Sequence, residues 1–121
     1  TMAAVAGRLR EGQWIVINYW AIWCKPCAEE IPELNAVYEL PGVTVLGVNF
    51  EDIPRNWLKD FMDTITMTYP VLPSDTSPDT PFGPVIGLPT TFIVSPAGEL
   101  VARQTGALTA ADLEAFIRRQ R

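Results

Sequence analysis

Histidine is absent from the 121-residue chain, and cysteine occurs only twice. Together these scarcities exclude whole chemistries. A finger-type zinc site needs four Cys or His ligands, and the triads of serine and cysteine hydrolases normally need an imidazole base. Neither can be assembled, so cysteine chemistry here must run on two thiols with carboxylates as helpers, and no metal or other cofactor is expected. Basic charge is scarce too: nine Lys+Arg stand against fourteen Asp+Glu, a net charge of −5. Arg118, Arg119 and Arg121 cluster only at the C-terminal end. So small a basic patch cannot neutralise a phosphate backbone, and no nucleic-acid partner is expected. No apolar run approaches the roughly 18–20 residues of a membrane span, and residues 1–12 lack the long apolar stretch of a signal peptide. With Thr1 at the head of the chain, the expectation is that a leader or anchor has been removed upstream.

What is present suits one domain, residues 1–121, with a single core: 48% of the residues are hydrophobic and 19% charged; a monomer is expected. Trp14-Ile15-Val16-Ile17-Asn18-Tyr19-Trp20 is a nearly continuous apolar, β-favouring run after Glu11-Gly12, the pattern of a central strand buried on both faces. After Cys27 the period changes. Ile31, Leu34, Val37 and Tyr38 recur at helical spacing until Pro41-Gly42; Pro26 fits the first turn, whereas Pro32 inside the helix should kink it. Val43–Phe50 reads as a second buried strand, and Pro54 opens a helix through Trp57, Leu58, Phe61, Met62 and Ile65. Strand, helix, strand, helix implies parallel pairing with right-handed crossovers. Residues 70–84 hold five of the eleven prolines and read as a loop with little regular structure beyond Tyr69–Leu72. Thr90–Val94 and Leu100–Gln104 flank Ser95-Pro96-Ala97-Gly98, a hairpin signature. A last helix starts at Thr109, with Asp112 completing its cap, and buries Leu113, Phe116 and Ile117.

Cys24 and Cys27 lie where the first strand gives way to the first helix. Unpaired N–H groups and the helix dipole favour an anion there, so Cys24 should be the lower-pKa, attacking thiol, with Lys25 adding positive charge. Cys27, one turn in and less exposed, suits a resolving thiol that breaks a mixed disulfide from within. The alternative is a static bridge, but closing so small a loop removes little chain entropy and makes a weak staple.

Asn18-Tyr19-Trp20-Ala21-Ile22-Trp23-Cys24-Lys25-Pro26-Cys27, followed by Glu30, Pro32 and Leu34, resembles the active-site block of thioredoxin-like proteins of the TlpA/ResA/CcmG branch. A second matching block is Gly87-Leu88-Pro89-Thr90-Thr91-Phe92-Ile93-Val94, then Gly98 and Gly106. The resemblance implies an α/β thioredoxin fold, a central mixed β-sheet of four to five strands flanked by helices on both faces. It also implies a cis Pro89 lying against the Cys24–Cys27 pair, with Leu88 presenting its backbone to an extended substrate strand and screening the sulfurs from water. In that branch a glutamate at the place of Glu30 sits near the dithiol and tunes it. Thioredoxins proper carry a buried aspartate where this chain has Asn18; Asn cannot accept a proton, so that role passes to Glu30. Glu29 and Glu33 read as solvated surface residues. Trp20 reads as core or pocket wall, and Trp23 as an exposed rim offering a flat contact. Trp23, Lys25, Pro26, Leu88 and Pro89 thus form the expected substrate contact, around Cys24, Cys27 and Glu30 as the catalytic set.

The expected activity is that of a thiol:disulfide oxidoreductase reducing disulfides in protein partners, with electrons from a membrane-bound thiol donor. The resemblance places it in the bacterial periplasm or on the outer face of the cytoplasmic membrane, with apocytochrome c cysteines as one implied substrate. The alternatives are a general reducing domain of a larger protein and a non-catalytic partner-binding module on the same fold. A thiol peroxidase is disfavoured. The short lead-in before Trp14 and the proline-rich Ser77–Pro84 stretch depart from the relatives' usual pattern.

Overall fold

A computed structural model describes residues 12–73 and 76–120. The lead-in before Gly12, residues Ser74 and Asp75 of the proline-rich stretch and Arg121 of the basic cluster lie outside the described residues. Ten elements follow one another among the described residues: β1 (Trp14–Trp20), α1 (Lys25–Tyr38), β2 (Val43–Asn49), α2 (Arg55–Ile65), β3 (Val71–Leu72), β4 (Asp79–Thr80), β5 (Gly83–Pro84), β6 (Thr90–Val94), β7 (Leu100–Thr105) and α3 (Ala110–Arg119). β1, β2, β3, β6 and β7 form one mixed sheet in the order β3-β2-β1-β6-β7. β1 runs parallel to β2 in a register from Trp14↔Val43 to Trp20↔Asn49, and antiparallel to β6, with Ile17 opposite Phe92. Paired on both sides and covered on both faces, all seven of its residues are buried, which is why its sequence is apolar without alternation.

Successive β1 side chains point to opposite faces, and the core divides accordingly. Trp14 and Val16 pack with Leu34 and Val37 of α1 and Leu113 and Ile117 of α3, while Trp20 packs with Leu58 of α2. Ile15, Ile17 and Tyr19 pack with Leu46, Val48, Phe92 and Val94 on the other face, under Phe50, Leu72, Phe82, Val85 and Leu88. The expected helices on both faces are therefore found, among the described residues, on one face. The second face is covered by the segment around β4 and β5, where Pro78, Pro81 and Pro84 withhold backbone donors and prevent a helix. That segment is more regular than a loop: β4 and β5 form a two-rung antiparallel ladder, and Phe82 lays its ring 5.5 Å from Phe92.

Local chemistry accounts for most boundaries. α1 runs on through Pro32, an exposed position, from Lys25 to Tyr38. α2 buries only Leu58, and Trp57 is exposed. α3 carries the expected capping box, with Asp112 N–H donating to Thr109 Oγ1 at 3.0 Å and Thr109 N–H to the Asp112 carboxylate at 3.3 Å. Of its expected core residues Leu113 and Ile117 are buried and Phe116 is half-buried. Gly47 in β2 is a packing glycine: a Cβ there would meet the Tyr69 ring at 3.1 Å and Trp20 Nε1 at 3.2 Å. Leu34, fully buried where α1 meets the sheet, carries that packing. Leu34→Ala is expected to cost about 2–5 kcal/mol, seen as a lower denaturant midpoint at unchanged slope; a midpoint equal to the parent's would contradict the layering.

Candidate active site

β1 ends at Trp20, the chain turns through Ala21–Trp23, and Cys24 becomes the N-cap of α1, its extended backbone leading into Lys25. Cys24 and Cys27 are joined in a disulfide with Cα atoms 5.2 Å apart, within the range such a bridge needs. The Cys27 N–H donates to Cys24 Sγ at 3.3 Å. The first cysteine's sulfur thus occupies the place where a helix start offers unpaired N–H groups. Both sulfur residues are buried, Cys27 slightly more than Cys24, among Trp20, Ala21 and Leu58. Lys25 and Pro26 are exposed on the first turn.

The turn into Cys24 is pinned from β2. Glu51, just past that strand, accepts from the Ile22 N–H at 2.7 Å and from Asn49 Nδ2 at 2.9 Å through one oxygen. The Phe50 N–H reaches Trp20 O at 2.7 Å, and the Cys24 N–H closes the turn onto Ala21 O at 3.2 Å. Nothing in the sequence singled out Glu51, because its partner is a backbone amide 29 residues away and a lone carboxylate after a strand has no pattern.

Glu30 is 1% exposed, one turn beyond Cys27. Its Oε1 accepts from Asn18 Nδ2 at 2.8 Å and its Oε2 from the Leu108 N–H at 2.7 Å; Asn18 Nδ2 also donates to Thr91 Oγ1 at 3.1 Å. Burial pushes the carboxyl up to about 7, against the opposing pull of the hydrogen bonds from Leu108 and Asn18. The Tyr69 hydroxyl is also pushed up, by burial and by the Glu30 charge. A carboxyl in that state can take up or release a proton near neutral pH. Glu29 is exposed as expected. Glu33 departs from its expected solvated role: it accepts from the Ala110 N–H at 2.8 Å, a free donor of the first turn of α3, and so ties α1 to α3.

The Leu88–Pro89 peptide bond is cis. Leu88 packs against the cluster that holds both cysteines, and Pro89 is buried with its carbonyl accepting from the Gly106 N–H at 2.8 Å. Trp20 is buried and stacks on Phe61 at 5.5 Å, whereas Trp23 is 71% exposed beside Cys24. Cys24, Cys27 and Leu88 thus converge in one apolar cluster, Glu30 lies behind it, and Trp23, Lys25 and Pro26 lie on its solvent side. A residue not anticipated is Ile86, exposed in the segment leading to Leu88. Among the described residues no group of three or more His, Cys, Asp or Glu could hold a metal ion, and no helix is long and apolar enough to cross a membrane.

Similarity to known proteins runs along the whole of this arrangement. The thiol-disulfide oxidoreductase ResA of Geobacillus kaustophilus is 33% identical over 106 residues, which are 85% of this chain and 60% of the relative. The thiol:disulfide interchange protein HelX of Rhodobacter capsulatus is 36% identical over 104 residues, 84% of this chain and 57% of the relative. The chain therefore spans about three-fifths of the length of these curated relatives. Among solved structures, a DsbF homologue from Corynebacterium diphtheriae superposes with a TM-score of 0.83 at 28% identity, covering 93% of this chain and 74% of that one. A thioredoxin-family thiol:disulfide interchange protein from Chlorobium tepidum TLS gives 0.80 at 26% identity, covering 94% and 83%. The five-stranded mixed sheet with its helices is accordingly the thioredoxin fold. With the family match extending over residues 6–103, the chain belongs to the AhpC/TSA family.

Proposed function

We propose that this chain is a thiol:disulfide oxidoreductase that reduces disulfides in partner proteins of the bacterial cell envelope. The observation that carries the reading is the Cys24–Cys27 bridge, with Cys24 as the N-cap of α1 and the Cys27 N–H directed at its sulfur. In the reduced protein the same N–H and the helix dipole stabilise a Cys24 thiolate. That thiolate attacks one sulfur of the partner's disulfide; the partner's second sulfur leaves as a thiolate and takes up a proton. Cys27, deprotonated, then attacks Cys24 Sγ, the mixed disulfide breaks, and the partner leaves with two electrons and a second proton. Glu30 receives the Cys27 proton. A membrane-bound thiol donor returns the two electrons, and cysteines of apocytochrome c are one substrate in keeping with the resemblance to the ResA-type branch.

Trp23, Lys25, Pro26, Leu88 and Pro89 make the substrate contact. Leu88 carries no backbone hydrogen bond among the described residues, so its N–H and C=O can pair with an extended partner strand. Its side chain shields the bridge on the inner side, and Trp23 supplies a flat apolar surface on the outer side.

Cys27→Ser is expected to hold partners as stable mixed disulfides on Cys24, visible on non-reducing gels and released by dithiothreitol. Cys24→Ser should capture none. Capture surviving Cys24→Ser unchanged would favour a binding module over an enzyme.

Direction is read from the redox equilibrium with glutathione. A shift of about 30 mV corresponds to ~1.4 kcal/mol for a two-electron couple. A reductant should equilibrate below the glutathione poise, and a potential like that of strongly oxidising envelope proteins would sink the reductant reading.

The Glu30 role predicts a pH signature. Its folded pKa of about 7 stands above the ordinary 4.5, so between these values the native state binds more protons than the unfolded chain. Its contribution is full below about pH 4.5 and lost as pH rises through about 7, a change of about 3 kcal/mol. Denaturation of the oxidised protein and of Glu30→Gln from pH 4 to 8 should show the variant gaining on the parent by that amount. A pH-independent difference would remove Glu30 from the proton path.

A further inference from the structure

We propose that Ile86 is a specificity-determining residue that meets the side chain next to cysteine in an extended partner segment and favours apolar side chains there. The inference rests on the oxidoreductase reading and deepens it. Ile86 is 82% exposed, the most exposed of the large hydrophobic residues among those described, and belongs to none of the three core clusters. It is nevertheless held on both sides. Val85 before it is buried and donates its N–H to Pro78 O at 2.8 Å, and Gly87 after it accepts the Thr90 hydroxyl through its carbonyl. Leu88, the next residue, is fixed in the cluster that contains both cysteines.

An isoleucine carried by so anchored a segment presents a stiff, β-branched surface that loses little rotamer freedom on contact. Two residues from Leu88, it stands at most about 7 Å along the chain from the backbone proposed to pair with the partner. A residue flanking the partner's cysteine falls within that reach. The segment that carries it is uncharged: from Gly83 to Thr91 there is no charged residue, and next to Cys24 Trp23 is 71% exposed. A charged or strongly hydrated flanking side chain finds no charged partner within the Gly83–Thr91 segment itself, whereas an apolar one removes both its own surface and that of Ile86 from water.

The test uses the reduced protein and two symmetric peptide disulfides, one with leucine and one with serine beside the cysteine, with 2-hydroxyethyl disulfide as a substrate lacking side chains. Each reaction moves two electrons: the protein dithiol becomes the Cys24–Cys27 disulfide, and one disulfide becomes two thiols. The parent is expected to reduce the leucine peptide about tenfold faster than the serine peptide, a preference worth ~1.4 kcal/mol. Ile86→Ser should bring the ratio near one, Ile86→Val should retain most of it, and both should reduce 2-hydroxyethyl disulfide within about twofold of the parent rate. An unchanged ratio in Ile86→Ser, or an equal slowing on all three substrates, would overturn the inference while leaving the oxidoreductase reading intact. A parent that reduces none of the three overturns that reading, and the inference with it.

Discussion

One buried carboxyl group connects the parts of this site. Glu30 belongs to α1, accepts from Asn18 of β1, and accepts again from the Leu108 amide just before α3; through Asn18 the link continues to Thr91 of β6. Four segments far apart in the sequence are tied at one place behind the dithiol. An isolated charge there would be costly, and burial answers by raising the proton affinity of the group while two N–H donors limit the rise. The result is neither a fixed charge nor a permanently neutral acid. Asn18 fits this compromise because its amide donates to Glu30 and to the Thr91 hydroxyl. An aspartate at that position would set a second acid against the first and could not donate while ionised.

A second carboxylate does mechanical work at the front of the site. Glu51 joins the end of β2 to the turn before Cys24, so the sulfur at the helix start is positioned by the central strands and not only by its own helix. Asn49, buried opposite Trp20 in the parallel register, presents the amide that orients Glu51. Cys24 therefore sits at the meeting of three constraints: the end of β1, the Glu51 clamp and the first turn of α1. A thiol expected to attack and then be attacked benefits from such support, because both steps need the sulfur in line with its target.

Much of this was legible in the sequence, and what was not has a common physical cause. The strands β1 and β2, the capping box of α3 and the cysteine-bearing helix start declare themselves through local patterns: nearly continuous apolar runs, a Thr and an Asp three residues apart, and the onset of helical spacing after Cys27. The inner role of Glu30 followed from its position one turn after Cys27 and from the resemblance. Glu33 and Glu51 were invisible because each spends its charge on a backbone N–H, and every residue but proline offers one. The covering of the second sheet face was missed for a similar reason. The lack of polar alternation in β1 shows that both faces are buried, but not what buries them. The five prolines between residues 70 and 84 ruled out a regular helix without revealing that Phe82 and Val85 would fill its place.

That covering bears on reactivity. Leu88 packs at once against the second-face cluster and against the cluster holding the cysteines, so it is where the two cores of the molecule touch. On one side it is continuous through Gly87, Ile86 and Val85 with the β4–β5 segment that lies on Phe92; on the other it enters the buried Pro89 and β6. The backbone proposed to meet a partner is consequently braced by packing on both sheet faces. The Phe82–Phe92 contact, although remote from the sulfurs in sequence, belongs to the support of the Leu88 segment. Loosening it would act first on the surface a partner meets and only secondarily on the Cys24–Cys27 bridge, which the Glu51 clamp and α1 hold independently. The proposed partner contact and the proposed sulfur chemistry thus rest on different sets of interactions, so that the first can vary while the second is kept.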